Sequence, residues 1–573
     1  MKKGLLPILL FLSTTVAFAA GADERWVERT LRSMTVDEKI GQMLMAQGGI
    51  GQFRAIDSEA MNRFRRAITE LHVGAVHAEV GDPAALAVTL NELQAMAKIP
   101  LLVSANEEGG AGYALYGATR MPLSMAIGAT GDEALAYEAA SVAAREGRAV
   151  GVNVNFFPVA DVNNNPENPI INIRSFGEDS STVARFVVAY VRGTQDHGQI
   201  ATAKHFPGHG DVAVDSHLAM PTLDVGRERL DHVELPPFRA AIDAGVGAFM
   251  TAHIWLPQLE PEKNLPATLS KPIMTTLLRG DLGFEGILFT DSMGMRGVSA
   301  AFEVEDATVR AVEAGADIVI GSRDLERSYR ALQAAVASGR ISEARLDQSV
   351  RRILRGKASL KLHQGRNRYA DLAQLMDTVG TEKNRAVAQT IADRAVTLVK
   401  DEAKVLPLRP SADLRVLQIN VLDNRAGWRE GPVGRILTAE LTKRFPRGVT
   451  VQVDDETTAA ELELVRKLAA MADALVVNGF VRVASYKGSI DLSREQMALI
   501  RDLVAMKKPM MFTSFGSPYV LTHLEELPAC AVTYDISPTA ETAAIRAITG
   551  EIPYSGKLPI NLGKYPIGHG LTK

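Results

Sequence analysis

The chain has 573 residues, too many for a single core, so two or more domains are expected. Its hydrophobic share of 46% and charged share of 23% are those of an ordinary globular protein. The net charge is −4 and no long basic run appears, which argues against a nucleic-acid partner or an electrostatic hold on a membrane.

Lys2 and Lys3 precede an apolar run that ends in Ala17-Phe18-Ala19. Basic residues, a short apolar stretch and small residues at its end read as a secretory signal peptide over residues 1–20. The run is short for a membrane span. The expectation is an exported protein, periplasmic or extracellular, with no membrane anchor after cleavage. An uncleaved anchor is the alternative. The single cysteine, Cys530, leaves no internal disulfide, so stability must come from packing.

Residues 25–361 alternate β-rich runs with helical patterns. Strands are expected at 40–46, 73–80, 101–105, 152–159, 199–203, 247–252, 286–289 and 317–321, with amphipathic stretches such as 132–148, 182–197, 234–244 and 325–338 between them. Eight such alternations fit a (β/α)8 barrel of the TIM type. An open doubly wound sheet is the competing arrangement, but no Gly-rich nucleotide loop follows the first strand. In a barrel the working residues stand at the C-terminal ends of strands. Asn106-Glu107-Glu108, Asp161, Lys204-His205, His253 and Asp291 all follow strand candidates. Residues 362–385, rich in Arg, Asn and Asp, read as a linker. Runs at 416–421, 449–453, 474–478, 509–514 and 529–534 then predict a second α/β domain over 386–573, a three-layer sandwich.

The loop Lys204-His205-Phe206-Pro207-Gly208-His209-Gly210-Asp211-Val212-Ala213-Val214-Asp215-Ser216-His217 is the richest in chemistry. Three histidines, a lysine and two aspartates on a Gly/Pro-broken loop behind an apolar strand are not a composition that packing requires. His217 and Asp215, two apart, point the same way in an extended segment and can pair. An ionised aspartate then fixes the imidazole tautomer and makes the ring more basic, which suits acid and then base duty. The same pair could instead tie the loop together. Asp291, in Leu288-Phe289-Thr290-Asp291-Ser292-Met293-Gly294, can attack an anomeric carbon or cap the next helix; the residues alone leave both open. Lys204 can donate to two hydroxyls and offset the charge of Asp291. His205 is a site or a core histidine. His209, between two glycines, shapes the loop. Arg174, in Asn172-Ile173-Arg174-Ser175-Phe176-Gly177-Glu178-Asp179, binds a ligand or pairs with a neighbouring acid.

The 204–217 loop resembles the KHFPGHG…DSH signature of the β-N-acetylglucosaminidase branch of glycoside hydrolase family three. The resemblance implies a two-domain retaining exo-acting β-N-acetylhexosaminidase that needs no cofactor or metal. It implies Asp291 as nucleophile, Asp215 and His217 as an acid/base dyad, and Lys204, His205 and Arg174 as sugar contacts. The chain departs from the family's Asp-Gln-Glu-Gly-Gly-Arg segment, having Asn106-Glu107-Glu108-Gly109-Gly110-Ala111. Asn106 keeps hydrogen bonding but loses the charge, and Glu107 or Glu108 is expected to compensate. The partner implied is a carbohydrate with β-linked N-acetylglucosamine, from peptidoglycan fragments or chitin oligomers; the oligomeric state stays open. Alternatives within the family are a β-glucosidase and a phosphorylase. Outside it stand a metal-dependent hydrolase using His205, His209, Asp215 and His217, and a non-catalytic glycan-binding protein. Residues Arg482, Tyr486 and Lys487 follow a strand of the second domain and are expected near the barrel mouth.

Overall fold

The computed structural model describes residues 23–48, 58–78, 81–365, 367–424 and 433–573. The expected signal segment lies outside them, as does the end of the strand expected at 73–80.

Seven parallel strands follow one another in chain order: β1 (Met45–Ala46), β2 (Ala75–His77), β3 (Leu102–Ala105), β4 (Val154–Asn155), β5 (Ile200–Phe206), β6 (Ala248–Thr251) and β7 (Ile287–Phe289). The eighth expected strand is reduced to single bridges. Ile318 pairs with Phe289 and Val319 with Leu44, so this segment touches both edges and closes the ring. The result is a TIM-type barrel. The first expected strand, 40–46, starts as helix: Thr35 and Glu38 form a reciprocal capping box that starts Val36–Gln42, and the strand keeps Met45–Ala46 behind the Leu44 bridge. Residues 152–159 likewise keep only two strand residues.

Alternation along the strands sorts the side chains. Met45, Val154, Phe156, Met250 and Phe289 fill the barrel interior. Phe157, Ala201, Ala203 and Phe249 face outward onto the Ser180–Asp196 and Pro236–Asp243 helices through Phe186, Tyr190 and Phe238. On β5 this alternation places Lys204 on the inward register, at the strand's end. The register is what lifts a lysine to the mouth of an otherwise apolar tube.

The second sheet has six strands: β8 (Thr397–Asp401), β9 (Val416–Leu422), β10 (Val449–Val453), β11 (Ala474–Val481), β12 (Met510–Gly516) and β13 (Ala529–Val532), in the order β10-β9-β11-β12-β13-β8. All pair in parallel except β8, which runs antiparallel to β13. One face packs on helices Ala459–Met471 and Arg494–Ala505, the other on Arg435–Arg444 and Pro538–Thr549, giving three layers. Sequence periodicity did not reveal β8. Its five residues are followed by a loop rather than a helix, so the alternation that marks the other strands is missing. The stretch 362–385, expected as a linker, holds helix Leu375–Thr378 and the start of helix Glu382–Ala395. Its Gly380 N–H and Asn384 Nδ2 both donate to the buried Glu146 Oε1 of the barrel, at 2.9 and 2.8 Å. This stretch thus satisfies a buried carboxylate of the barrel. Met125, Ala126 and Ile173 of the barrel share an apolar cluster with the second sheet.

Candidate active site

At the end of β3, Asn106 is exposed on the rim and the next two residues diverge. Glu108 turns toward β5. Its Oε1 meets Lys204 Nζ at 2.7 Å and Arg174 Nη2 at 2.9 Å, and its Oε2 takes Arg174 Nε at 2.8 Å. Arg174 stands in the turn Asn172–Arg174 and also donates to the Ile170 carbonyl at 2.9 Å. Burial alone would raise the Glu108 pKa, but the two cations and their hydrogen bonds hold it well below the usual carboxylate range. Burial pulls Arg174 down and Glu108 more than offsets that, so the guanidinium is firmly charged. Two cations fixed by one carboxylate can present oriented N–H donors, a suitable surface for sugar hydroxyls.

Glu107 does not join this cluster, contrary to the expectation that it binds ligand. It is buried behind the strand near Gln199 and Glu146; burial pushes its carboxyl up to about 8, the Gln199 amide opposing and the Glu146 charge adding. Adjacent residues of an extended chain face opposite sides, so only one of Glu107 and Glu108 reaches the mouth. The acid that faces Lys204 and Arg174 is Glu108.

The long loop after β5 is built on Asp161, which follows β4. Its Oδ1 accepts the His205 and His209 backbone N–H groups at 3.1 and 2.8 Å, and its Oδ2 accepts His205 Nδ1–H at 2.8 Å. That bond leaves His205 Nε2 as the free nitrogen. His209 points within the loop, its Nε2 3.0 Å from Ser216 Oγ, and burial, helped by His205, takes its pKa down to about 4. It braces the loop, as its glycine neighbours suggested.

His217 Nδ1 and His217 backbone N both donate to Asp215 Oδ1, at 2.7 and 2.9 Å. The pair meets as expected, for a different reason. Residues 215–218 form a turn, with Leu218 N–H donating to the Asp215 carbonyl at 2.9 Å, so the aspartate folds over its own backbone instead of lying on a strand. The other Asp215 oxygen accepts the Tyr486 backbone N–H at 2.8 Å, from the second domain. Burial would raise the Asp215 pKa; the His217 ring, the His217 N–H and the Tyr486 N–H outweigh it, and the carboxyl is held low.

Asp291 follows β7. Its backbone N–H donates to Thr251 Oγ1 at 3.0 Å, and its Oδ1 accepts the Ser292 N–H at 2.7 Å. Burial raises its pKa, but His253, His205 and His217 lie close enough to lower it on balance, so the carboxylate is ionised. It caps no helix: the next one, Arg296–Ser299, begins after Met295. His253 is buried beside it, with Nε2 3.0 Å from the Ser292 carbonyl and Nδ1 2.7 Å from Thr268 Oγ1. A carbonyl only accepts, so Nε2 carries the proton. Burial pulls the ring's pKa down, and Nδ1 stands against the Thr268 hydroxyl, which also donates to the Ala252 carbonyl at 3.0 Å. Thr268 in turn lies 2.7 Å from Thr251. This chain of hydrogen bonds fixes the backbone that carries Asp291.

Lys204, His205, Arg174, Asp215, His217 and Asp291 thus stand around one mouth, with Asn106 on its rim. Sequence reasoning left Asp161, Thr251 and Thr268 without roles. The signal for Asp161 was its place after a strand; the two threonines carried none. Among the described residues, no three His, Cys, Asp or Glu side chains are grouped to hold a metal ion.

Residues 35–356 match the glycosyl hydrolase family 3 N-terminal domain. The chain belongs to glycoside hydrolase family 3. A β-N-acetylglucosaminidase/β-glucosidase of Cellulomonas fimi is 33% identical over 559 residues, 94% of this family 3 chain and 95% of that one. A solved family 3 β-N-acetylglucosaminidase of Paenibacillus sp. FPU-7 superposes with a TM-score of 0.82 at 37% identity, over 92% of this chain and 99% of the other. A β-glucoside phosphorylase superposes with a TM-score of 0.84 at 27% identity, over 94% and 96%.

Proposed function

We propose that the protein is a retaining, exo-acting β-N-acetylhexosaminidase. The observation that carries this reading is the Asp215–His217 dyad held at the same barrel mouth as the ionised Asp291. Asp291 attacks the anomeric carbon as the glycosidic C–O bond breaks, and the departing oxygen takes a proton from His217. The product is a covalent glycosyl-enzyme. His217, now neutral, takes a proton from water as that water attacks the same carbon, which frees the sugar with its β configuration and restores both groups. Asp215 keeps the Nδ1 proton in place and stabilises the charged ring. The Lys204–Glu108–Arg174 cluster and His205 Nε2 offer the contacts to the sugar. The similarity to β-N-acetylglucosaminidases over nearly the whole chain supports the choice of sugar. So does the second-domain turn at 482–489, which reaches the dyad without any carboxylate of its own. The β-glucosidase branch takes its acid/base glutamate from that domain.

With the signal peptide read in residues 1–20, the substrates proposed are exported or extracellular glycans: peptidoglycan fragments or chitin oligomers. Hydrolysis of a panel of aryl β-glycosides tests the sugar. Release of N-acetylglucosamine, with glucosides and xylosides turned over far more slowly, is expected; a glucoside preference overturns the reading. A second reading is phosphorolysis, favoured by the similarity to a β-glucoside phosphorylase and by an imidazole acid/base, which repels an anion less than a carboxylate would. Adding inorganic phosphate decides between them: a sugar 1-phosphate product marks a phosphorylase, and unchanged free sugar a hydrolase.

A further inference from the structure

His77, the last residue of β2, has no part in the chemistry above, and its place in the fold calls for an apolar side chain. It pairs with Ser104 of β3, and Ser104 with Val154 of β4, so the three side chains point the same way, into the barrel. The apolar neighbours on that side include Ala75, Phe156 and Phe289. The imidazole lies nearly parallel to the Phe156 ring, centroids 5.6 Å apart and planes at 12°. Phe156 meets Phe289 edge-on at 5.2 Å, and Asp291 follows two residues on. These rings form the floor of the mouth, and Lys204 stands on the inward register above the same interior. His77 Nδ1 lies 2.9 Å from Ser104 Oγ. Nε2, at the other edge of the ring, has no hydrogen-bond partner among the described residues. His77 is also partly exposed, while Ala75, Ser104, Val154 and Phe156 around it are buried. Burial and the Lys204 charge pull its pKa down to about 4, so the ring is neutral at pH 7. A neutral imidazole with one unpaired nitrogen thus stands on the floor of the mouth, where packing alone would accept a leucine.

Such a ring gives or takes one hydrogen bond, and a hydroxyl complements either tautomer. The topology says which hydroxyls it meets. Around the eight positions of the barrel β3 stands opposite β7, and β2 adjoins β3. Asp291, after β7, marks the place of the anomeric carbon, so the β2 side of the mouth receives the far end of the sugar. In a pyranose C4 lies opposite C1, with the C3 and C6 hydroxyls on either side of it. The C2 substituent adjoins C1 and stays near Asp291. We infer that His77 is a specificity-determining residue for the sugar that is cleaved: its Nε2 makes a hydrogen bond with one hydroxyl at C3, C4 or C6 and leaves the C2 substituent untouched. It serves the sugar from one flank of β3, and the Lys204–Glu108–Arg174 cluster serves it from the other. This inference rests on Asp291 being the nucleophile proposed above.

The test measures kcat/KM on the nitrophenyl β-glycoside of N-acetylglucosamine, on its 3-, 4- and 6-deoxy forms, and on the glucoside. His77→Phe keeps a flat ring on Phe156 and removes the nitrogen. Its kcat/KM on the N-acetylglucosaminide is expected to fall about tenfold, the scale of one hydrogen bond to an otherwise unpaired group. On one of the three deoxy forms the wild type should already show that loss, and His77→Phe should add little to it, as two groups in contact require. The loss on the glucoside should match that on the N-acetylglucosaminide, because the C2 substituent is not touched. His77→Asn, whose amide stops near Ser104, should behave as His77→Phe does, so the comparison does not hang on one variant folding. His77→Gln, whose amide reaches about as far as Nε2, should recover part of the activity. Equal losses on the parent and all three deoxy forms would mean that His77 only supports the barrel. A loss confined to the N-acetyl sugar would mean that it reads the C2 group, and an undiminished rate on the parent would mean that the sugar does not touch it; each of these overturns the inference. Wild-type protein that cleaves none of these glycosides would instead refute the hydrolase reading, which separates the two failures.

Discussion

Glu108 is the residue whose removal should be most informative, because it alone neutralises two buried cations. Its side chain and Lys204 are buried and Arg174 is partly buried, with three N···O contacts of 2.7 to 2.9 Å. Glu108→Gln keeps the shape and one acceptor oxygen but leaves Lys204 and Arg174 facing a neutral amide. Taking one partner from a buried ionic cluster costs about 3–5 kcal/mol; the retained acceptor puts glutamine near the low end, about 3 kcal/mol, and Glu108→Ala near the high end. Urea unfolding followed by far-UV circular dichroism and tryptophan fluorescence should show the loss in the barrel transition, with two probes needed because two domains need not unfold together. The pH dependence adds a second check. The folded pKa of Glu108 is depressed, so its contribution is present above the unfolded value near 4.5 and fades as pH falls below that toward the folded value. In Glu108→Gln that acid-side loss should disappear. Sugar affinity should fall too, since Lys204 and Arg174 would lose their fixed directions. A variant with wild-type stability and product inhibition would refute the idea that this cluster organises the sugar site.

Asp291→Ala should abolish turnover, and a slow fluorinated glycoside should label Asp291 in the wild type; label elsewhere, or product of inverted configuration, would rule out the two-step scheme. His217→Ala should slow poor leaving groups much more than activated aryl glycosides, and an unchanged ratio of the two rates would sink the acid/base assignment. Asp215→Asn should act in the same sense, with the double variant much less impaired than the product of the single effects. Glu107 has a raised folded pKa, so its carboxyl favours folding below about 4.5 and loses that contribution as pH rises toward about 8; Glu107→Gln should flatten this alkaline decline in stability while leaving the pH profile of catalysis in place. A chain ending at Lys361 should lose thermal stability, because Gly380 and Asn384 would no longer satisfy Glu146, and its activity on disaccharides should suffer beyond that; full activity would remove the second domain from the site.

The amino-acid sequence determined the fold class, the order of the strands and most of the residues at the mouth. The reason is local. Period-two apolar runs commit to strands wherever they are drawn into a sheet, and the end of each barrel strand delivers its next residues to one rim, so the sequence alone assigns Lys204, His205 and Asp291 to it. Helix 36–42 shows the limit of that signal, since the helix started by the Thr35–Glu38 capping box takes the first three residues of the expected strand. What the tertiary structure alone decided was direction and partnership. Whether Glu107 or Glu108 turned toward the barrel mouth depended on one peptide's orientation, decided by where Lys204 and Arg174 stand to meet it. The contact of Asp215 with His217 was foreseen, but the turn that makes it was not. The N–H that Tyr486 gives to Asp215 joins residues of two domains through the docking of one apolar surface on another, and no spacing along the chain encodes that meeting.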